Sequence, residues 1–263
     1  MSYFRNDGCQ LHYEEYGHGT PVLLLHGLGS STRDWENQKA ALAEHYKVIL
    51  FDLRGHGRSD RPKEQYSMTT FADDVLALLE HLQLEKVHLV AMGGMVGFQL
   101  AVDHPQRLLS LTVVNSSPQV RINSVRSALQ IGKRWLFSRL LSMQSIGKMI
   151  SKLLFPEPNQ AALRTKVVER WRFNDKHAYL ASLDAIIGWG VSERLERIDC
   201  PVLVISADQD YTPVAEKAAY TARLRNARLV VIEHSRHATP IDQPQRFNQC
   251  LLDFLDTTQP KEQ

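Results

Sequence analysis

Four short apolar runs in the first half of the chain each end in a turn, and this pattern constrains the fold more than any other feature. Val22–Leu25 runs into His26-Gly27, and Val48–Phe51 into Asp52. Val87–Val90 runs into Ala91-Met92-Gly93-Gly94, and Leu111–Val114 into Asn115-Ser116-Ser117-Pro118. Short, mostly apolar runs that stop at turn residues read as strands buried on both faces. Helical spacing fills the gaps between them. Phe71, Val75, Leu78, Leu79 and Leu82 share one helix face, and Thr70 with Asp73 predicts a capping-box start for that helix. Strands alternating with helices imply an α/β class with a mostly parallel central sheet flanked by helices.

The pattern changes after Pro118. Residues 119–195 contain no convincing strand. Leu136, Leu140, Ile146, Met149, Ile150 and Leu153 give the segment a helical composition, and Pro156 and Pro158 divide it. Strands resume at Val202–Ile205 and Leu229–Ile232, and a last amphipathic helix carries Phe247, Leu251, Leu252 and Leu255. The expected organisation is a core of residues 1–118 and 196–263 interrupted by a helical lid over 119–195. Residues from Thr257 to Gln263 are expected to fray.

Composition narrows the function classes. A chain of 263 residues suits one large domain, or a core with a small lid. Its 43% hydrophobic and 23% charged residues are those of a folded soluble protein. A net charge of +2 gives no reason to expect nucleic acid as a partner. Cys9, Cys200 and Cys250 are odd in number and far apart, so neither a disulfide framework nor a metal site is expected. No stretch reaches the roughly 20 apolar residues of a membrane span. With no signal-like N-terminal pattern either, the default expectation is a cytoplasmic protein.

Four turn segments carry chemistry-bearing residues. His26-Gly27-Leu28-Gly29 reads either as a tight turn or as a loop that exposes amides to an oxyanion. Asp52-Leu-Arg-Gly-His-Gly-Arg-Ser59 follows the next strand. Asp208-Gln-Asp210-Tyr-Thr-Pro213 and Glu233-His-Ser-Arg-His237 follow two later strands. Together these segments resemble the α/β-hydrolase superfamily, in which an HGxG turn precedes a D-x-R-G-x-G-x-S segment. The resemblance spans about Leu11 to Leu255 and implies a lid inserted after the sixth core strand. It also implies that the D-x-R segment braces loops, that Asp210 orients the base His237, and that neither metal nor organic cofactor is needed. Asp208 and His234 are weaker alternatives. The order turn, Asp, His is the one this fold requires.

One element departs from the pattern. The family carries G-x-S-x-G at the turn after the fifth strand, where this chain reads Val90-Ala-Met-Gly-Gly-Met95. Aligned on the helix side, Ala91 takes the nucleophile position and Met92 supplies an oxyanion amide alongside Leu28. Aligned on the strand side, Gly93 takes it. The simplest account is a two-residue deficit that includes the Ser. Ser116 and Ser117 lie near the same sheet edge and could line the pocket with His26, Trp135 and Trp189, although Trp residues at helical spacing are more often packing. From Arg121 to Phe155 the lid holds Arg121, Arg126, Lys133, Arg134, Arg139, Lys148 and Lys152 and no acidic residue. That is either a solvated face or an attraction for an anionic or amphiphilic small-molecule substrate. The expected activity is hydrolysis of a small-molecule ester, lactone or related acyl bond. The alternatives are an inactive relative that binds a ligand or partner, or proton transfer by His237 alone.

Overall fold

The computed structural model describes residues 2–122 and 124–259. Eight strands form one sheet: β1 (Ser2–Asn6), β2 (Cys9–Tyr16), β3 (Pro21–Leu25), β4 (Lys47–Phe51), β5 (Val87–Met92), β6 (Leu108–Val114), β7 (Val202–Ala207) and β8 (Ala227–Ile232). Their spatial order is β1-β2-β4-β3-β5-β6-β7-β8. β1 and β2 are antiparallel at one edge, and every pairing from β4 to β8 is parallel. The β1–β2 hairpin turns at Asp7-Gly8, both with positive φ, as the right-handed twist of a two-residue hairpin favours.

The apolar runs work as two-sided strands. Leu23, Leu25, Ile49, Phe51, Leu89, Ala91, Leu111 and Val113 face one layer, with Phe71, Val75 and Leu78 of α2 (Met68–His81) and Phe98 of α3 (Met95–Asp103). Val22, Leu24, Val48, Leu50, Val90, Met92 and Val114 face the other. There they meet Leu42 of α1 (Glu36–Ala43) and Phe247 and Leu251 of the C-terminal helix (Pro244–Thr257). Alternate residues point to opposite faces, so burial of both faces favours a nearly continuous apolar run, interrupted here by the buried His88, Ser110 and Thr112.

Two local expectations shift. The helix over Phe71–Leu82 starts at Met68, and its cap is the Ser67 hydroxyl, which accepts the Thr70 N–H at 3.0 Å. Ser67 is extended, as an N-cap must be, whereas Thr70 already lies inside the helix. At the C-terminus the last helix continues to Thr257, and residues 260–263 of the expected tail lie outside the described residues.

Between β6 and β7 the chain forms four lid helices: α4 (Val125–Leu140), α5 (Met143–Leu154), α6 (Ala161–Trp171) and α7 (Lys176–Ile186). Met143, Ile146, Trp171 and Tyr179 make a small apolar cluster, and Leu28 of the HGLG turn packs on it. The lid thus rests directly on the loop beside the sheet's C-terminal edge. Its outer apolar residues are not packed: Leu129, Leu136, Phe137 and Leu140 of α4 are exposed. Among the described residues no helix is long and apolar enough to cross a membrane.

Candidate active site

The parallel strands β3, β5, β6 and β7 end at one edge of the sheet, and the singled-out turns gather there. His26 is nearly buried at the end of β3. The Leu53 N–H donates to its Nε2 at 3.1 Å, so its Nδ1–H donates to the Gly27 carbonyl at 2.8 Å. Both ring nitrogens are thereby committed to shaping the HGLG loop, and His26 braces that loop instead of forming a free pocket wall.

The Asp52 segment is a bracket of buried polar contacts. The Asp52 carboxylate accepts the Thr32 N–H at 2.7 Å, the Arg58 N–H at 3.1 Å and the His12 Nδ1–H at 2.9 Å. These bonds outweigh burial and hold its carboxyl below the usual range. Gly57 must be glycine here, because a Cβ would lie 2.3 Å from the Asp52 carboxyl carbon. Arg54 grips the fully buried Asp74 of α2 through two bonds of 2.5 and 2.6 Å. Each contact ties loop to loop or loop to helix, which is the bracing role expected of this segment.

The turn after β5 locates both alternatives for the nucleophile position. Ala91 lies inside the strand, paired with Leu25 and Val113 and only 1% exposed. Met92 pairs with Val114 and packs its side chain into the core. Neither tops the turn: the strand continues one residue beyond Ala91. Gly93 follows with φ +68° and Gly94 with φ +29°, and α3 starts at Met95. Met92 therefore precedes the apex and does not supply the amide that follows it. That amide is Gly94 N–H, 3.3 Å from the Ala91 carbonyl. A Cβ on Gly94 would press to 2.6 Å from Val113 Cγ1, whereas one on Gly93 would meet only Gly27 Cα at 3.7 Å.

Across the edge, Asp210 and His237 meet. His237 Nδ1 lies 2.9 Å from Asp210 Oδ1. The other carboxylate oxygen, Oδ2, receives Lys217 Nζ at 2.6 Å and the Thr212 hydroxyl. Asp210 and Lys217 are fully buried, and His237 is 18% exposed at its side chain. Burial would raise the Asp210 carboxyl, but bonds from His237, Lys217 and Thr212 prevail and hold it at about 2. An ionised Asp210 accepts only, so His237 carries its proton on Nδ1 and presents the Nε2 lone pair outward. Facing that lone pair is the Tyr211 hydroxyl, 2.7 Å away.

The loop that carries His237 is fixed from below. The Asn115 amide group donates to the His237 carbonyl at 2.9 Å, the Arg236 carbonyl at 3.2 Å and the Thr239 hydroxyl at 2.8 Å. Its carbonyl oxygen accepts the Ala207 N–H at 2.7 Å. Asp208 accepts the Ser235 N–H at 3.0 Å, and Asp242 accepts the Arg236 N–H at 2.9 Å. Asp208 is thus a loop brace. Asn115, Tyr211, Lys217 and Asp242 were not singled out from sequence for these contacts. Asn115, at a strand end, and Tyr211, in the turn that carries Asp210, each have a sequence signal for a place at the site; Lys217 has none.

The remaining candidates are scattered. Ser116 is nearly buried beside Gly94, and its hydroxyl makes a 3.5 Å bond to the Ser117 carbonyl. Trp189 donates to Gln99 of α3 at 2.6 Å, which fastens the lid's return segment to the core. Trp135 is partly exposed on α4 with the Arg139 guanidinium 3.6 Å above its ring. Of the lid's basic residues, Arg121 pairs with Glu193 and Arg139 with Asp184. Arg134 reaches Tyr211. The Arg126 side chain lies outside the described residues.

Comparison with known proteins gives consistent matches. Residues 20–244 match the family model described as alpha/beta hydrolase fold. A Caulobacter vibrioides protein named as a candidate carbamate hydrolase, RutD, is 32% identical over 94% of this chain and 95% of its own length. The crystal structure of a hydrolase from Pseudomonas aeruginosa PA01 superimposes with TM-score 0.88 at 26% identity, covering 97% of each chain. The enol-lactonase of Burkholderia xenovorans LB400 shares the fold, with TM-score 0.89 at 24% identity over 97% of this chain and all of that one.

Proposed function

Because the chain belongs to the alpha/beta hydrolase fold family, we propose that it hydrolyses small-molecule esters, lactones or related acyl bonds, with His237 as the base and Asp210 as its orienting acid. The observation that carries the reading is the 2.9 Å contact between His237 Nδ1 and the buried, ionised Asp210. A fixed carboxylate selects the imidazole tautomer and stabilises the imidazolium that forms when Nε2 takes a proton. The Leu28 amide is the group that would hold the oxyanion, since the Gly93 and Gly94 amides already donate to the Val114 and Ala91 carbonyls. The carbamate hydrolase name of the Caulobacter relative fits the same acyl chemistry.

The nucleophile position is the finer part of the proposal. Gly93 stands where the family carries Ser, so the hydroxyl that His237 activates comes from elsewhere. The basic lid favours an anionic or amphiphilic substrate, with the Arg134 guanidinium beside Tyr211. The test is turnover of a panel of esters and lactones by the wild-type chain and by His237→Ala. The expected result is measurable hydrolysis that falls by about 10²-fold or more in the variant. Unchanged turnover in His237→Ala would place the chemistry elsewhere. Absence of turnover with retained ligand binding would favour a ligand-binding relative, the reading that the Gly at the turn otherwise supports.

A further inference from the structure

The base of this site already has a hydroxyl at its working nitrogen. Tyr211 Oη lies 2.7 Å from His237 Nε2, and the phenol overlaps the imidazole with ring centroids 4.2 Å apart and planes inclined by 29°. With Nδ1–H committed to Asp210, Nε2 accepts and the phenol donates. This is the bond an attacking hydroxyl makes with its general base. The Tyr211 backbone N–H donates to Asp210 Oδ1 at 2.9 Å, so one carboxylate oxygen anchors both the phenol's backbone and the imidazole. Tyr211 as a residue is half exposed, while its hydroxyl is the enclosed end, held beside His237 Nε2 and Arg134. The competing hydroxyl, Ser116, is nearly buried and bonds to a neighbouring carbonyl.

We propose that Tyr211 is the nucleophile of this enzyme, and that its substrates are acyl donors whose leaving group is at least as acidic as a phenol: aryl esters, enol esters or thioesters. The proposal rests on the hydrolase reading above. In the first step His237 Nε2 takes the phenol proton as Tyr211 Oη bonds to the carbonyl carbon, and the carbonyl electron pair moves onto oxygen. The intermediate then collapses. The bond to the leaving group breaks, and His237 returns the proton to it. In the second step His237 deprotonates a water that attacks the acyl-tyrosyl ester. The bond between Tyr211 Oη and the acyl carbon breaks, the phenolate recovers its proton from His237, and a carboxylic acid departs. The sum is acyl donor plus water giving acid plus protonated leaving group.

The leaving-group limit follows from the partition of the first intermediate. It expels the weaker base. A phenol, with an ordinary pKa of about 10, is a far better leaving group than an alkyl alcohol, so an alkyl ester would expel Tyr211 and return unchanged. A thiol, ordinarily at about 8.5, would leave ahead of the phenol. Burial pushes the Tyr211 hydroxyl upward and the Arg134 guanidinium beside it pulls the other way. Removal of the proton during attack avoids any need for free phenolate.

The experiment compares wild type, Tyr211→Phe and His237→Ala with p-nitrophenyl acetate, following turnover and the mass of the acid-quenched Tyr211 peptide. Expected are an acetyl group on Tyr211 in wild type, its loss in both variants, and turnover reduced about 10²-fold or more in a folded Tyr211→Phe. Ethyl acetate should be turned over far more slowly than the aryl ester. Tyr211→Phe that turns over as fast as wild type, or faster, overturns the proposal and leaves the hydrolase reading intact; Tyr211 then only covers the imidazole. Acetylation of Tyr211 that persists in His237→Ala overturns it as adventitious labelling. A wild-type chain neither acetylated nor active overturns the hydrolase reading together with the proposal.

Discussion

Lys217 Nζ lies 2.6 Å from Asp210 Oδ2, and both side chains are completely buried. The carboxylate that faces His237 with one oxygen is neutralised through the other. Breaking a buried pair by removing one partner leaves an uncompensated charge and costs about 3–5 kcal/mol. Asp210→Asn should therefore lose stability as well as turnover. Adding Lys217→Met should restore much of the stability, because the stranded ammonium is gone, and restore no activity. Urea unfolding of the two variants checks this. Equal stability of Asp210→Asn and wild type would show that the pair contributes little.

Asp242 and Asp210 pull stability in opposite directions with pH. Burial lifts the Asp242 carboxyl from its usual 3.8 to about 6, despite the bonds it accepts from Arg236 and Ser235. The folded state then holds more protons than the unfolded one between about pH 4 and 6, so stability from this group falls as pH rises through that window. Asp210 is held at about 2. Its contribution is present above about pH 4 and is lost as pH drops towards 2. Asp242→Asn should flatten the slope between pH 4 and 6 by about 1–2 kcal/mol, allowing for partial exposure, and leave the acid limb unchanged. Denaturant midpoints measured across pH 2–8 decide it.

Gly93 offers a place to build a hydroxyl side chain. A Cβ there meets only ordinary contact with Gly27, although φ +68° strains any other residue by about 1–2 kcal/mol. Gly93→Ser should fold with that modest loss and gain alkyl-ester hydrolysis. Insertion of two residues to give G-x-S-M-G-G before Gly93 should raise activity in the same direction. A folded Gly93→Ser with no gain would mean that its hydroxyl does not reach His237.

Asn115→Ala should be more damaging than a turn residue suggests. It removes three donated bonds and one accepted bond, and it puts Ala at φ +49°. A loss of about 3 kcal/mol or more is expected from the buried groups left without partners. The kcat should fall more than KM rises, because the base moves while the pocket walls stay. A change in KM alone would show that His237 holds its position without Asn115.

Much of this was legible in the sequence, for identifiable reasons. Strands buried on both faces are mostly apolar, so β3–β7 announced themselves even with buried His88, Ser110, Thr112 and Ser206 among them. β1 and β2 lie at an edge and carry the exposed Arg5, Gln10 and Glu15, which hid them. Asp210 and His237 were visible because each follows a strand within a recognisable turn. Lys217 was not. A Lys on a short amphipathic helix reads as solvated, and only the fold of Thr212-Pro213 back over Asp210 buries it. Spacing alone could not choose between Ala91 and Gly93, since sequence does not say where a strand stops. Met92 pairs with Val114, so the strand runs on past Ala91 and the turn falls at Gly93 and Gly94.

The Asn115 amide has one further consequence. It takes its bearings from the end of β6 and from Ala207 at the end of β7, and passes them to the backbone of His237. The backbone of His237 is therefore held from the sheet as well as from the loop that bears it. Lid and loop sequences can drift towards a new substrate while the base keeps its coordinates. A scaffold wired in this way can change its chemistry at the turn after β5 without having to find its histidine again.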